Sequence, residues 1–338
     1  MKFGLKSIGR IAVMAMSMVA LAGEASAQET PDVRLFKKFT TALEGKTIAF
    51  VPMSYGMFLT DGWAHVMKIE AERLGMKFVT RDPNWSTTAQ SQAVQALIQE
   101  KPDVLVIHNL NVQLLARQIR QAQQAGIYVV QLNLVSNQIS DAFVGADYRQ
   151  VGREIATDLV EACSPEKGKS GKISIVQGEL TNAASLQELG GAMEIFEKHP
   201  EIQIVSNQAG DYDANKSRDI TQTALQQNPD LCAVYDFFDV MALGAAQAIK
   251  AAGQQGKVLL YTTGGGQRMA CDSWDAGMFD KYWDTHTLQQ GQDLMTTISL
   301  ILQSGQKPGA VEMAVYTPVS VWTKENYSPS LCYDLPSQ

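Results

Sequence analysis

The feature that most constrains the fold is a regular alternation of short apolar runs and longer helical patterns, which begins at Thr47. Residues 103–107 and 127–132 are predominantly apolar runs typical of strands, and helical patterns at 86–100 and 112–125 precede them. Strands that are buried on both faces of a parallel sheet have this character, and parallel pairing requires helical crossover connections. The pattern therefore predicts an α/β protein with a parallel sheet.

The alternation starts again after Asp147. Predicted helices and strands then follow one another at 150–162, 172–177, 183–198, 202–207, 215–227, 232–235, 240–252 and 257–262. Two similar α/β halves are thus strung together, in agreement with the soft expectation of two domains for a chain of this length. No long Pro/Gly/Ser tether separates the halves, which favours a hinge that the chain crosses more than once, and therefore a cleft.

The amino terminus has the layout of a secretory signal peptide. Three basic residues, Lys2, Lys6 and Arg10, precede an apolar run at 11–22 and the small residues Ala25-Ser26-Ala27. The run is about a dozen residues long, whereas a membrane span takes roughly 20. We therefore expect cleavage after Ala27 and a mature protein in the periplasm.

Charge and cysteine content narrow the class further. The formal net charge of −7 argues against a nucleic-acid partner, which would require a basic face. The four cysteines lack the paired C-x-x-C spacing of a zinc site, and an exported chain meets an oxidising compartment. Cys163 ends a predicted helix and Cys232 begins a predicted strand, so we favour pairing these two and joining Cys271 to Cys332, one of three possible connectivities.

Candidate ligand-binding residues follow from the rule that open α/β sheets bind ligands beyond the carboxyl ends of their strands. The residues selected are aromatic, amide, carboxylate and small: Tyr55, Phe58, Asp82, Trp85, Asn109, Asn111, Asn133, Asp236, Phe237, Phe238, Thr263 and Gly264. Such a set suits a hydroxyl-rich ligand, because polar side chains supply paired donors and acceptors while flat rings cover C–H faces.

Structural roles compete with several of these assignments. Tyr55 and Phe58 could cap the first helix, Asn133 could form a turn, and Asp82 could begin a loop. Trp85 could be packed in the fold, as tryptophan often is. Phe237 and Phe238 cannot both face the cleft if they continue a strand.

Catalysis has no support in the sequence. The run Gly264-Gly265-Gly266 lacks the lysine and spacing of a phosphate-binding loop, and no Gly-x-Ser-x-Gly nucleophile motif occurs. The four histidines, His65, His108, His199 and His286, show no metal-ligand spacing. Asp239 has the position of a helix N-cap. We expect no enzyme activity, no metal and no cofactor.

Several segments carry a resemblance to a known family in order along the mature chain. They lie at 48–58, 95–98, 102–107, 126–133, 144–147, 239–245 and 318–326, and the sequence Asp-Val-Met-Ala-Leu-Gly-Ala at 239–245 is the most specific of them. They resemble the periplasmic sugar-binding proteins of ABC transporters, of the ribose- and galactose-binding type.

The resemblance implies two doubly wound parallel-sheet lobes joined by a three-strand hinge, the periplasmic binding protein type I fold. It places the crossovers near Asp147, Thr285 and Tyr316, and the ligand between the lobes. The implied N-terminal lobe comprises residues 45–147 and 286–315, and the C-terminal lobe residues 148–285 and 316–338. Trp283, Asp284 and His286 would close the pocket from the hinge side, with partial burial for packing as the competing role of Trp283.

The chain departs from this family at the residues that hold charged clamps. Asn133-Leu134 stands where ribose-type members place an Asp-Arg pair, the segment 186–191 lacks their arginine, and Phe238 replaces an asparagine. These losses point to a smaller neutral polyol or a less hydroxylated sugar.

The implied function is that of the periplasmic solute-binding component of an ABC importer, a monomer that closes around a small neutral sugar or polyol and is read by the transporter permease. Two alternatives share the fold: a binding protein for a chemoreceptor or signalling receptor, and a binder of a non-carbohydrate polar solute. A secreted enzyme would need a reactive constellation that the sequence lacks, and a repressor of related fold would need an N-terminal helix-turn-helix.

Overall fold

The computed structural model describes residues 30–335. The predicted signal peptide at 1–27 lies outside this range. Within residues 30–335, no helix combines the length and the apolar character that crossing a membrane requires.

The strands are short, as expected for a parallel α/β protein. In chain order they are β1 (Thr47–Val51), β2 (Lys77–Thr80), β3 (Val104–Ile107), β4 (Tyr128–Leu132), β5 (Ala142–Gly145), β6 (Lys172–Gln177), β7 (Gln203–Ala209), β8 (Ala233–Asp236), β9 (Leu259–Gly264), β10 (Lys281–Asp284), β11 (Met313–Tyr316) and β12 (Ser320–Trp322).

Helices occupy most of the connections. They are α1 (Pro31–Leu43), α2 (Phe58–Arg73), α3 (Thr87–Glu100), α4 (Ala116–Gln124), α5 (Tyr148–Cys163), α6 (Ala183–Phe196), α7 (Ala214–Gln227), α8 (Asp239–Ala251), α9 (Arg268–Asp275) and α10 (Thr287–Ser304). The predicted alternation begins at Thr47 and does not include α1, in which only Leu43 is buried.

The strands form two six-stranded sheets, with orders β2-β1-β3-β4-β5-β11 and β7-β6-β8-β9-β10-β12. Pairing is parallel throughout except between β10 and β12. The predicted α/β fold with two parallel sheets is therefore confirmed. We call the first sheet with the helices packed on it the first lobe, and the second sheet with its helices the second lobe.

The chain passes between the sheets three times within the described residues: between β5 and β6, between β10 and β11, and between β11 and β12. After β10 it enters α10, which packs on α2 and on β4 and β5 of the first lobe. Three crossings between the same two lobes can act as one hinge, about which the lobes move as two bodies.

Each lobe has its own apolar core. Continuous burial of Ile48 to Val51 in β1 and of Val104 to Ile107 in β3 matches their apolar runs. A small third cluster joins the lobes: Met53, Leu110 and Leu134 of the first lobe pack with Ala183 and Ala184 of the second. The two lobes are thus in apolar contact across the cleft.

Two disulfides brace the second lobe. Cys163 at the end of α5 is bonded to Cys232 just before β8, and Cys271 of α9 is bonded to Cys332 near the carboxyl terminus. This is the connectivity that the sequence favoured, and it accounts for all four cysteines.

Candidate functional site

A cavity lies between the lobes at the carboxyl ends of the strands of both sheets. Its volume is about 40 Å³, room for about three ordered water molecules at 10–15 Å³ each. A larger ligand therefore requires the lobes to part. The lining comprises Met53, Met57, Leu59, His108, Asn133 and Leu134 from the first lobe, and Tyr148, Asn182, Ala184, Ser185, Glu188, Tyr212, Phe237, Phe238 and Thr263 from the second.

Aromatic rings of the second lobe form much of the wall. Tyr212 and Phe238 meet edge to face with centroids 5.9 Å apart, and Phe237 packs at 4.8 Å on Tyr235 behind it. Such rings bury the C–H faces of a ligand while hydroxyl groups at their edges stay available for hydrogen bonds.

Asn133 lines the cavity, and its amide is engaged by the protein. Its Nδ2 donates to the Tyr148 hydroxyl at 2.8 Å, and its Oδ1 accepts from the backbone N–H of Ala146 at 3.4 Å. Because Tyr148 accepts this bond, its own O–H proton is free to donate into the cavity. Asn133 thus orients Tyr148, which follows the first crossover.

His108 and Asn182 line the cavity from opposite lobes, and each has a buried polar atom without a hydrogen-bond partner. His108 is 2% exposed, its Nδ1 makes no hydrogen bond within the described chain, and burial lowers its pKa to about 3. Asn182 is fully buried; its Oδ1 accepts from the N–H of Ala184 at 2.9 Å and caps α6, but its Nδ2 has no partner there. Buried polar atoms of this kind are normally satisfied, so a ligand that bridges the lobes would relieve both.

Glu188 of α6 is the only Asp or Glu that lines the cavity within the described residues. It is 1% exposed, and the Tyr235 hydroxyl donates to its Oε1 at 2.7 Å. Burial raises the pKa of Glu188 well above its usual range. No Lys or Arg within residues 30–335 lines this cavity.

Of the residues that the sequence selected, the structure brings Asn133, Phe237, Phe238 and Thr263 together at the cavity. Gly264 lies just behind it, facing the buried carboxylate of Asp239. The sequence predicts that one of the two phenylalanines packs in the core, and Phe237 does so in the second lobe while also lining the cavity. Strand β8 ends at Asp236, so alternation stops there and both rings contribute.

Tyr55 and Phe58 line a separate surface groove, which we call the outer groove and which also includes Asp61, Arg268 and Tyr333. Phe58 is 47% exposed, and its carbonyl accepts a hydrogen bond from Tyr333 at 3.0 Å. Tyr55 bonds to the hydroxyl of Thr80 at 2.7 Å.

Four other selected residues lie after strands β2 and β3, outside the cavity. Asp82 accepts from the N–H groups of Tyr55 and Asn84, and Trp85 is exposed with φ +63°. Asn109 is buried, with Nδ2 bonded to Gln131 and Leu134. Asn111 accepts from the N–H of Gln113 within a turn. None of the four lines the cavity.

Trp283 and His286 also lie away from the cavity. Strand β10 extends to Asp284, so Trp283 is a strand residue that packs at 5.6 Å on Tyr261 in the core of the second lobe. His286 precedes α10 with φ +56°, and its Nδ1 lies 3.4 Å from Asp284. The expectation that Asp239 is the N-cap of α8 was wrong, because Phe238 holds that position. The Asp239 carboxylate instead accepts hydrogen bonds from Tyr282 and Gln267 inside the lobe.

Sequence reasoning missed His108, Tyr148, Asn182, Glu188 and Tyr212. Asn182 and Tyr212 follow β6 and β7, so the strand-end rule would have selected both had it been applied to those strands. Glu188 has no comparable signal, because it lies inside a helix whose burial only the fold reveals. No cluster of metal-ligating side chains occurs within the part of the chain that the structure describes.

Comparison with known proteins agrees with this architecture. Residues 48–307 match the family model of the periplasmic binding protein domain. A D-allose-binding periplasmic protein of Escherichia coli is 34% identical over 155 residues, which cover 44% of this chain and 49% of that protein. The match therefore spans about half the length of that relative. A ribose import binding protein of Bacillus subtilis is 27% identical, over 64% of this chain and 68% of its own.

Solved structures show the same fold. A carbohydrate transporter solute-binding protein from Agrobacterium radiobacter, in complex with D-arabinose, superimposes with a TM-score of 0.75 at 20% identity, covering 85% of this chain and 97% of that one. An ABC transporter solute-binding protein from Mycobacterium smegmatis with bound glycerol gives a TM-score of 0.74 at 25% identity, covering 83% and 95%. Since the family model matches well over half of the chain, this chain belongs to the periplasmic binding protein domain family.

Proposed function

We propose that this chain is the periplasmic solute-binding component of an ABC importer and that it binds a small uncharged sugar or polyol between its lobes. The cavity carries this proposal: aromatic walls, neutral polar groups from both lobes, and no cationic side chain among the described lining residues. The relatives named above bind D-allose, ribose, D-arabinose or glycerol, which belong to the same chemical class.

The charged clamps of ribose-type proteins are replaced by residues with different chemistry. Leu134 is 3% exposed and packs in the apolar cluster between the lobes, and Asn133 holds Tyr148. A ligand with fewer hydroxyl groups than a pentose, or a smaller one, fits these contacts. We propose that the residues lining the cavity bind this ligand. Tyr55 and Phe58 lie in the outer groove and do not contact it in this proposal.

Transport follows from closure of the two lobes. Ligand stabilises the closed state only through contacts that are better there than in the open state. His108 and Asn182 supply such contacts because they reach the ligand from opposite lobes. We propose that the closed, monomeric protein is what the transporter permease recognises after export and cleavage of residues 1–27.

A thermal-shift screen of the purified protein tests the function. Uncharged sugars and polyols, including D-allose, D-ribose, D-arabinose, erythritol and glycerol, are compared with D-glucosamine, D-gluconate, amino acids and nucleosides. A ligand present at 100 times its Kd adds about 2.7 kcal/mol to the free energy of unfolding. We expect at least one uncharged sugar or polyol to raise the melting temperature. A shift only with amino acids or nucleosides would overturn the carbohydrate assignment.

A further inference from the structure

Glu188 is an acidic group in a place where an ion would be poorly stabilised. Its carboxyl group lies at the cavity wall, with Oε1 bonded to the Tyr235 hydroxyl. Oε2 accepts no hydrogen bond from any residue within 30–335, and no ion pair reaches the side chain in that range. Desolvating a carboxylate without a cation is costly, whereas a protonated carboxyl group needs only hydrogen-bond partners.

The groups that face Glu188 from neighbouring elements do not supply a cation. Strand β8 contributes Tyr235 and Asp236, and burial raises the pKa of Asp236 to about 8. Tyr148 of α5 and Tyr212 after β7 are neutral phenols whose pKa values burial raises. His108 of the first lobe is neutral because burial lowers its pKa.

The arginines of the adjacent helix are committed elsewhere. Arg149 and Arg153 of α5 both form ion pairs with Glu194, on the outer part of α6, and neither lines the cavity. Asp236 is a second buried acid beside Glu188, and ionisation of both groups would place like charges together. No described element therefore brings a cation to Glu188, and burial disfavours its ionised form more than the Tyr235 hydrogen bond favours it.

We infer that Glu188 determines the specificity of the cavity by acting as a neutral acid, whose carboxyl O–H donates a hydrogen bond to an oxygen atom of the ligand. This inference rests on the proposed function and names the chemistry of that same site. Asn182 Nδ2 is a second unpartnered donor, and the Tyr148 hydroxyl is a third. The site therefore selects an uncharged ligand with acceptor oxygens, either hydroxyl, ring or carbonyl.

The opposing hypothesis is that Glu188 is an ionised carboxylate that binds a cationic ligand. Two substitutions distinguish this hypothesis from a neutral Glu188. Glu188→Gln preserves shape, neutrality and an N–H donor, whereas Glu188→Met preserves size but removes hydrogen bonding. Binding of D-allose, D-ribose, erythritol and D-glucosamine is measured by calorimetry at pH 7. For the uncharged probe that binds wild type, we expect Glu188→Gln to retain affinity within about threefold. Glu188→Met is expected to weaken it about 5- to 150-fold, since an unmade buried hydrogen bond costs about 1–3 kcal/mol.

Two binding results would overturn the inference. One is a decrease in affinity for the uncharged ligand that is as large in Glu188→Gln as in Glu188→Met, which would show that the ionised form is needed. The other is tighter binding of D-glucosamine than of the uncharged sugars to wild type, with that binding lost in Glu188→Gln. If no probe binds wild type, the proposed function fails, and the protonation state is decided by a measurement that needs no ligand.

That measurement is the infrared difference spectrum between wild type and Glu188→Gln at pH 7. Asp236 and Asp239 are present in both proteins and cancel. We expect the substitution to remove a protonated-carboxyl C=O band, and removal of a carboxylate band instead would contradict the inference.

The pH dependence of the free energy of unfolding gives a second measurement. A pKa of Glu188 that is raised in the folded state stabilises wild type below the unfolded pKa of about 4.3, and this contribution is lost as pH rises. The stability of Glu188→Gln relative to wild type should therefore increase with pH.

Discussion

Replacing Gly191 with alanine should destabilise the protein by about 3 kcal/mol, the upper part of the usual range for overpacked sites. Gly191 lies where α6 crosses α5, and a Cβ atom there would fall 1.9 Å from the backbone oxygen of Arg149. Backbone atoms of a packed helix cannot move aside as a flexible side chain can. The helices would have to separate, and apolar contacts between them would be lost.

The adjacent residue provides a matched control for this prediction. A Cβ atom at Gly190 would meet only the Arg149 guanidinium, at 3.4 Å. Gly190→Ala should therefore be neutral, or should stabilise α6 by up to about 1 kcal/mol through helix propensity. Urea denaturation of the two variants measures the difference in the free energy of unfolding. Equal effects at the two positions would contradict the close contact between α5 and α6.

This helix pair also positions the candidate site. Tyr148 begins α5, whereas Asn182 caps α6 and Glu188 lies in it. A Cβ atom at Gly152 of α5 would lie 2.0 Å from the backbone oxygen of Glu188. Close contact at both glycines therefore fixes the distance between the Tyr148 hydroxyl and the Glu188 carboxyl group.

Asn182→Ser should weaken ligand binding about 5- to 150-fold, which corresponds to loss of a buried hydrogen bond worth about 1–3 kcal/mol. Serine keeps an oxygen that can cap α6, but it removes the unpartnered Nδ2 donor of a residue that lines the cavity. Titration calorimetry with the ligand that gives the largest thermal shift measures the affinity. The free energy of unfolding of the unliganded variant should stay within about 0.5 kcal/mol of wild type, since serine and asparagine cap helices similarly.

Asn228→Ser is the control for this change. Asn228 ends α7, and its side chain donates to Ala224 within the same helix, outside the cavity. The Asn228→Ser substitution removes an amide of the same kind at a position outside the cavity, so we expect wild-type affinity. Unaltered affinity in Asn182→Ser would mean that the ligand does not reach Asn182.

The sequence predicted the architecture well because the relevant signals are local. Apolar runs of strand length such as Val104 to Ile107 are typical of a sheet buried on both faces. Cys163 and Cys232 were paired correctly because both lie at the ends of adjacent predicted elements. Helix α1 precedes the alternation that begins at Thr47 and was not predicted, although Phe36, Phe39 and Leu43 recur at helical spacing.

The candidate site was harder to predict, because it depends on where strands end and on what packs behind them. Trp283 was expected at a crossover loop, but β10 continues through it and places the ring in the core. Phe237 and Phe238 were expected to alternate, but β8 ends before them. Glu188 could be recognised as a site residue only from the packing of α5 on α6 and from its hydrogen bond with the Tyr235 hydroxyl.

The crystal structure of the protein with the ligand from the thermal-shift screen tests the central claim most directly. We expect the ligand between the lobes, with oxygen atoms within hydrogen-bond distance of Asn182 Nδ2 and the Glu188 carboxyl group, and with Phe238 and Tyr212 against its C–H faces. A ligand bound in the outer groove at Tyr55 and Phe58, with the cavity between the lobes unchanged, would contradict the account.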